Sequence, residues 1–203
     1  MRALVSGFEP FGGRRLNPSG EVLGVLPPRV GAADVATVML PVRFADAWAA
    51  LADAVEEADP DVVVALGQAA GASAVTIEEI AVNLDGPDDP DEAGVRPVDE
   101  PIVEGAPLAY RTGLPARGLE AALAAEGIPA RRSRSAGAHL CNHVFYRLCH
   151  LAATVRPGLR AGFVHLPCLP AQTPDGADPS FSLDLQAAAV RTVLAVTLSA
   201  ASR

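Results

Sequence analysis

Apolar residues along this chain fall into two kinds of run. The first kind is short and continuous and breaks at glycine or proline: Ala3-Leu4-Val5-Ser6 stops at Gly7, Asp61 to Leu66 stops at Gly67, and Ala161 to Leu166 stops before Pro167. Unbroken apolar runs of this length read as strands buried on both faces. Asp34 to Val42, Val75 to Val82 and Ile128 to Ser133 also have β character. The second kind has helical spacing. Phe44, Ala47, Trp48, Leu51 and Val55 share one face of a helix over Phe44 to Ala58, and further helices are predicted over Leu114–Glu126, His139–Thr154 and Ser182–Ser199. Asn17-Pro18 supplies an N-cap with proline at the first helical position. Strands alternating with helices predict a layered α/β architecture. With no internal repeat, low-complexity tract or linker, residues 1–203 read as one domain.

Composition narrows the chemistry. Half of the 203 residues are hydrophobic, and the net charge is −8. An acidic surface repels phosphate backbones, so nucleic acid is not an expected partner. All 16 basic residues are arginine. Without lysine there is neither Schiff-base chemistry nor a Walker-type phosphate loop. The opening Met1 to Ser6 is too short for a signal-peptide core, and no apolar run approaches the roughly 20 residues of a membrane span. Three cysteines in such a chain are expected to be reduced thiols in a cytoplasmic protein.

All three cysteines and all four histidines lie between His139 and Cys168. Val144, Phe145, Leu148 and Ala152 follow Cys141 at helical spacing, so Cys141 sits near a helix start. Free amide donors there favour an anion, and the thiolate is the nucleophilic form of cysteine. The preceding Ser135-Ala136-Gly137-Ala138 is small enough to let a substrate carbonyl approach. His165 lies near the carboxyl end of a predicted strand, where ligands of open α/β sheets bind. Cys149 and Cys168 read as core residues, and His143 and His150 as solvent-facing. From Glu78 to Glu104 there are ten acids and one basic residue, Arg96, which reads as a solvated excursion. Cys141, His143, Cys149 and His150 do not have metal-ligand spacing, so no metal is expected, and there is neither a GxGxxG fingerprint for a dinucleotide cofactor nor a GxSxG nucleophile elbow.

These residues yield a thiol, a histidine and several carboxylates without choosing a substrate. Several motifs together do choose one. Ser6-Gly7-Phe8-Glu9-Pro10-Phe11-Gly12-Gly13 with Asn17-Pro18, Thr76-Ile77-Glu78 with Ala81-Val82-Asn83, and Asp99-Glu100-Pro101-Ile102-Val103 with Ala109-Tyr110 occur in order. Leu140-Cys141-Asn142-His143 and Phe163-Val164-His165-Leu166-Pro167 follow. In this pattern the chain resembles the pyroglutamyl peptidase I family of cysteine peptidases, from about Ala3 to Gln172. The resemblance implies a three-layer α/β/α sandwich with a mixed, mostly parallel sheet. It implies Cys141 as nucleophile, His165 as general base and then acid, and Glu78 as the partner of the imidazolium. Phe8 and Phe11 would clamp a flat lactam, and Gln68 would read its polar edge. The substrates implied are peptides with N-terminal pyroglutamate, and the assembly implied is a homotetramer.

Three departures from the family pattern stand out. Glu79 replaces a usually basic residue, Asp88 falls where an arginine is common, and Ala138-His139 replaces what is commonly threonine and an aromatic. An Asp88 turned inward would oppose negative charge in the transition state, which leads us to expect a weakened or altered enzyme. An amidase for another small blocked N-terminus, and a catalytically silent binder of pyroglutamyl peptides, are the alternatives.

Overall fold

The computed structural model describes residues 1–176 and 178–201. The elements, in order, are β1 (Arg2–Phe8), α1 (Pro18–Leu23), β2 (Arg29–Val30), β3 (Ala33–Leu40), α2 (Phe44–Ala58), β4 (Val62–Gln68), β5 (Val75–Glu78) and β6 (Ile80–Val82). There follow β7 (Ala109–Arg111), α3 (Ala116–Ala125), β8 (Ala130–Ser133), α4 (Leu140–Thr154), β9 (Arg160–Leu166), a 3₁₀ turn (Pro170–Gln172) and α5 (Leu183–Ala201). Seven strands form one sheet in the order β2-β3-β1-β4-β9-β5-β8, while β6 and β7 make a separate antiparallel ribbon. The fold is thus an α/β sandwich around a mixed, mostly parallel sheet.

The continuous apolar runs become the inner strands β1, β4 and β9, buried along nearly their whole length. Helices α1, α3 and α5 cover one face through Val22, Leu119, Leu123, Val190 and Leu194. Helices α2 and α4 cover the other through Leu51, Val55, Val144, Phe145 and Leu148. By length and composition alone α5 is apolar enough to cross a membrane, contrary to the expectation that no run approaches such a span. Half of that stretch is buried, and Ala189, Val190, Val193 and Leu194 join the core under the sheet.

The Val75–Val82 segment is not one strand. It breaks at Glu79, so that β5 belongs to the main sheet and β6 to the ribbon. Within the main sheet β5 runs antiparallel to β9, although β1, β3, β4 and β9 are mutually parallel neighbours. This reversal sets up the site. Directly opposed residues of an antiparallel pair lie on the same face, and diagonal neighbours remain within side-chain reach. Thr76 opposes His165 and Glu78 opposes Phe163, so Glu78 and His165 are diagonal neighbours on the face covered by α4.

Candidate active site

The carboxyl ends of β1, β4 and β9 converge on the amino end of α4, and a cavity of about 440 Å³ opens there. Its lining includes Phe8, Phe11, Gln68, Cys141 and His165 from the sequence reading. Glu78 lies behind His165, 2 % exposed, with Oε1 2.8 Å from His165 Nδ1. That contact leaves Nε2 as the ring nitrogen free for Cys141, to which the ring is also hydrogen-bonded. Burial acts against a charge on His165, but the Cys141 thiolate beside it and the Glu78 carboxylate behind it prevail. Together they push its pKa up to about 9.

Space for the thiol comes from Gly67, the β4 residue paired with His165. A Cβ at position 67 would lie 2.9 Å from Cys141 Sγ and 2.8 Å from Phe163 Cζ. Cys141 is half-buried, one residue into α4, whose N-cap is His139. His139 Nδ1 accepts the Leu140 N–H at 2.7 Å, and the His139 carbonyl accepts the His143 N–H at 3.0 Å. Among the described residues, the N–H groups of Cys141 and Asn142 between them have no acceptor in the protein. A helix N-terminus with two free donors beside a thiol is a ready site for a developing oxyanion. Burial lowers the His139 pKa, against the pull of Asp91 and of its hydrogen bond to the Asp89 backbone.

The loop from β1 forms one wall. Asn17 caps α1 by accepting the Ser19 N–H at 3.1 Å, and its own amide donates to the Glu9 carbonyl at 2.9 Å, which ties the Phe8–Gly13 loop down. Phe8 is buried and Phe11 is half-open to solvent. Gln68 is fixed at both ends of its amide: Nε2 donates to Cys168 Sγ at 3.3 Å, and Oε1 accepts from Gln172 Nε2 at 3.2 Å. Cys149 and Cys168 are buried as expected, and burial pushes the Cys149 thiol up to about 12.

The acidic excursion forms the other wall. Asp91 is buried and accepts three backbone N–H bonds, from Phe44 at 2.8 Å, Ala93 at 2.9 Å and Val95 at 2.8 Å. Burial raises its carboxyl pKa, but these donors outweigh it and hold it below the usual value. Glu92 Oε1 accepts the Gly12 N–H at 2.7 Å, joining the two walls. Asp88 is exposed and outside the cavity lining, whereas Asp89 and Glu92 are within it. Glu79 faces away and pairs with Arg132 at 3.2 Å.

His143 corrects the sequence reading, which made it solvent-facing. It is 5 % exposed, its Nδ1 lies 2.6 Å from Asp85 Oδ2, and Arg147 Nε donates to its Nε2 at 2.9 Å. The excursion folds over this side of α4, held also by Asn142, which bonds the backbone of Val82 and Leu84. Asn17, Val42, Asp89, Glu92 and His139 were missed as cavity residues. Only Asn17, as a cap beside the Gly/Phe-rich loop, carried a local signal. Among the described residues no three His, Cys, Asp or Glu side chains are grouped to hold a metal ion.

A buried carboxylate–imidazole pair against a thiol at a helix start is the arrangement that a cysteine hydrolase requires. The family described as pyroglutamyl peptidase matches residues 1–200. The pyrrolidone-carboxylate peptidase of Streptomyces coelicolor is 44 % identical over 196 residues, covering 96 % of this chain and 90 % of that protein. Its counterpart in Vibrio parahaemolyticus is 40 % identical over 97 % of this chain and 92 % of its own. Among solved structures, pyroglutamyl peptidase I of Bacillus amyloliquefaciens superposes with a TM-score of 0.94 at 36 % identity, covering 100 % of this chain and 97 % of that one. A mutant pyrrolidone carboxyl peptidase from the hyperthermophile Pyrococcus furiosus gives 0.95 at 40 % identity, covering 98 % and 99 %. The chain belongs to the pyroglutamyl peptidase family of cysteine peptidases.

Proposed function

We propose that this protein cleaves the amide bond after an N-terminal pyroglutamyl residue, with Cys141 as nucleophile, His165 as acid and base, and Glu78 as the partner of His165. The observation that carries the reading is the Glu78–His165 contact of 2.8 Å, set behind the thiol in a cavity walled by Phe8, Phe11 and Gln68. Pyroglutamate has no free α-amine, so its site needs apolar walls and amide partners rather than a carboxylate. Phe8 and Phe11 suit the flat ring. The Gln68 amide, already fixed by Cys168 and Gln172, suits its polar edge.

In this mechanism the Cys141 thiolate attacks the pyroglutamyl carbonyl, and the oxyanion that forms is met by the free N–H groups at the start of α4. The His165 imidazolium gives its proton to the departing amine as the C–N bond breaks, leaving a thioester on Cys141. Neutral His165 then takes a proton from water, which attacks the thioester and releases pyroglutamate. The thiolate and imidazolium are restored together. Glu78 keeps the Nδ1 proton in place and balances the imidazolium throughout.

The test is release of an amine from a pyroglutamyl amide by wild type and by Cys141→Ala. Activity confined to wild type is the expected result. Equal rates from the two would overturn the assignment of the nucleophile, and silence of folded, reduced wild type would overturn the function. A homotetrameric assembly and a cytoplasmic setting belong to the same proposal. The first is supported by family resemblance and the second by three free cysteines. Sedimentation equilibrium and cell fractionation test them.

A further inference from the structure

The thiol, the imidazole and the apolar walls are accounted for by the function proposed above, on which this inference rests. Two carboxylates in the same cavity are not. Asp89 and Glu92 line the cavity that holds Cys141, both are exposed, and no arginine is among the lining residues. Among the described residues neither carboxylate lies in an ion pair. Glu92 is held in place, and Asp89 is tied to the site through its backbone. Glu92 is held through its side chain to the Gly12 N–H at 2.7 Å and through its own N–H to the Val42 carbonyl at 3.0 Å. The Asp89 backbone is hydrogen-bonded to His139, two residues before the nucleophile. Between them, Asp91 spends its own charge on three backbone donors that shape the loop. The negative wall is therefore built into the fold.

We propose that Asp89 and Glu92 select substrates with a positive charge in the residue that follows the pyroglutamyl group, and disfavour a carboxylate there. The lactam is neutral and gains nothing from two carboxylates. The scissile amide at Cys141 has the lactam on one side and the following residue on the other. That residue is the nearest part of the substrate able to carry charge. An arginine, lysine or protonated histidine side chain is attracted. An aspartate or glutamate side chain is repelled, and so is the free terminal carboxylate of a pyroglutamyl dipeptide. Solvent screens these exposed charges, so each contributes about 1.5- to 5-fold. Across both carboxylates, an arginine substrate should exceed a glutamate substrate by about tenfold at low ionic strength, and by less as salt shortens the reach of charge.

The experiment compares kcat/KM for pyroglutamyl-arginine amide, pyroglutamyl-alanine amide and pyroglutamyl-glutamate amide. It uses wild type and the double variant Asp89→Asn, Glu92→Gln, whose glutamine keeps an acceptor for Gly12. The order Arg over Ala over Glu is expected in wild type, shrinking with added salt and collapsing in the double variant. Equal turnover of the three peptides by wild type, or a preference untouched by both salt and substitution, overturns the proposal. The salt series needs only wild type, so a variant that fails to fold does not remove the test. If none of the three peptides is cleaved, the alanine peptide included, it is the pyroglutamyl-peptidase reading that fails, and this inference falls with it.

Discussion

Replacing Glu78 by glutamine removes one charge from the centre of the site while keeping its volume. The wild-type imidazole is raised from 6.5 to about 9 despite its burial. That rise is about 3 kcal/mol of preference for the imidazolium, shared between the thiolate and the carboxylate. Glu78→Gln removes the carboxylate's share of that preference, so His165 gives up its proton at lower pH and the alkaline limb of activity moves downward. A second loss is added by geometry. A carboxylate only accepts at His165 Nδ1, 2.8 Å away, whereas an amide can donate there and move the ring proton to Nε2. A ring in that tautomer cannot take a proton from the thiol. The same exchange of acid for amide in a serine triad costs about 10⁴ in kcat. For Glu78→Gln we therefore expect kcat/KM on a pyroglutamyl amide to fall by about 10²- to 10⁴-fold. The pH at which activity falls on the alkaline side should move below the wild-type value of about 9. A thermal melt confirms that the variant folds. A variant indistinguishable from wild type in both turnover and the alkaline pH limb would refute the reasoning, since neither charge nor tautomer would then depend on Glu78.

The raised imidazole sets a pH limit: activity should fall as pH climbs through about 9, when His165 loses the proton it gives to the leaving amine. Its share of stability has the same sign, being complete below the unfolded value of 6.5 and lost by the time pH passes about 9, which melts across that range would follow. Gly67→Ala should abolish turnover by displacing the thiol, because the added methyl would meet Sγ at 2.9 Å; retained kcat/KM in the folded variant would contradict the packing argument. Asp91→Ala strands three backbone donors and uncaps α2, which should cost about 2 kcal/mol, or about 4–8 °C in Tm for a chain of this size. In wild type the Asp91 contribution is present above the ordinary carboxylate value of 3.8 and lost as pH falls through its lowered one, so the variant should show a weaker acid limb in melts from neutral pH downward.

Much of the fold was legible because its signals are local. The apolar stripe of α2 gave its limits, Phe44–Ala58, and the unbroken runs gave the inner strands β1, β4 and β9. The direction of β5 was not legible, because alternation along a strand is the same whichever way its neighbour runs. The break at Glu79 was hidden for a related reason: β character continues on both sides while the hydrogen-bonding partner changes from β9 to β7. His143 was misread because helical periodicity placed it with Arg147 on a polar face. That face is covered by residues 85–104, far away in sequence, and Asp85 turns the imidazole into a buried partner. Cys141, His165, Phe8, Phe11 and Gln68 do share one cavity with Glu78 behind it, but spacing alone did not join them. The resemblance to a family did that. The departure at Asp88 drew attention to the wrong carboxylate, because the loop turns Asp88 outward and brings Asp89 and Glu92 to the cavity.

The position of β5 in the sheet has a dynamic consequence. Cys141 and His165 are anchored to the interior, on α4 and on β9, which pairs with β4 along seven residues. Glu78 rides on a four-residue strand whose other neighbour, β8, is an edge strand of the sheet and equally short. Sheet margins open more readily than centres, and they do so in cooperative pieces. Peeling of the β5–β8 margin would take the carboxylate away while nucleophile and imidazole stayed in register, giving a folded molecule with an unsteadied base. Amide deuteration should then reach β5 and β8 well before β4 and β9. In mild denaturant, catalytic power should fade with that margin, ahead of the global unfolding transition.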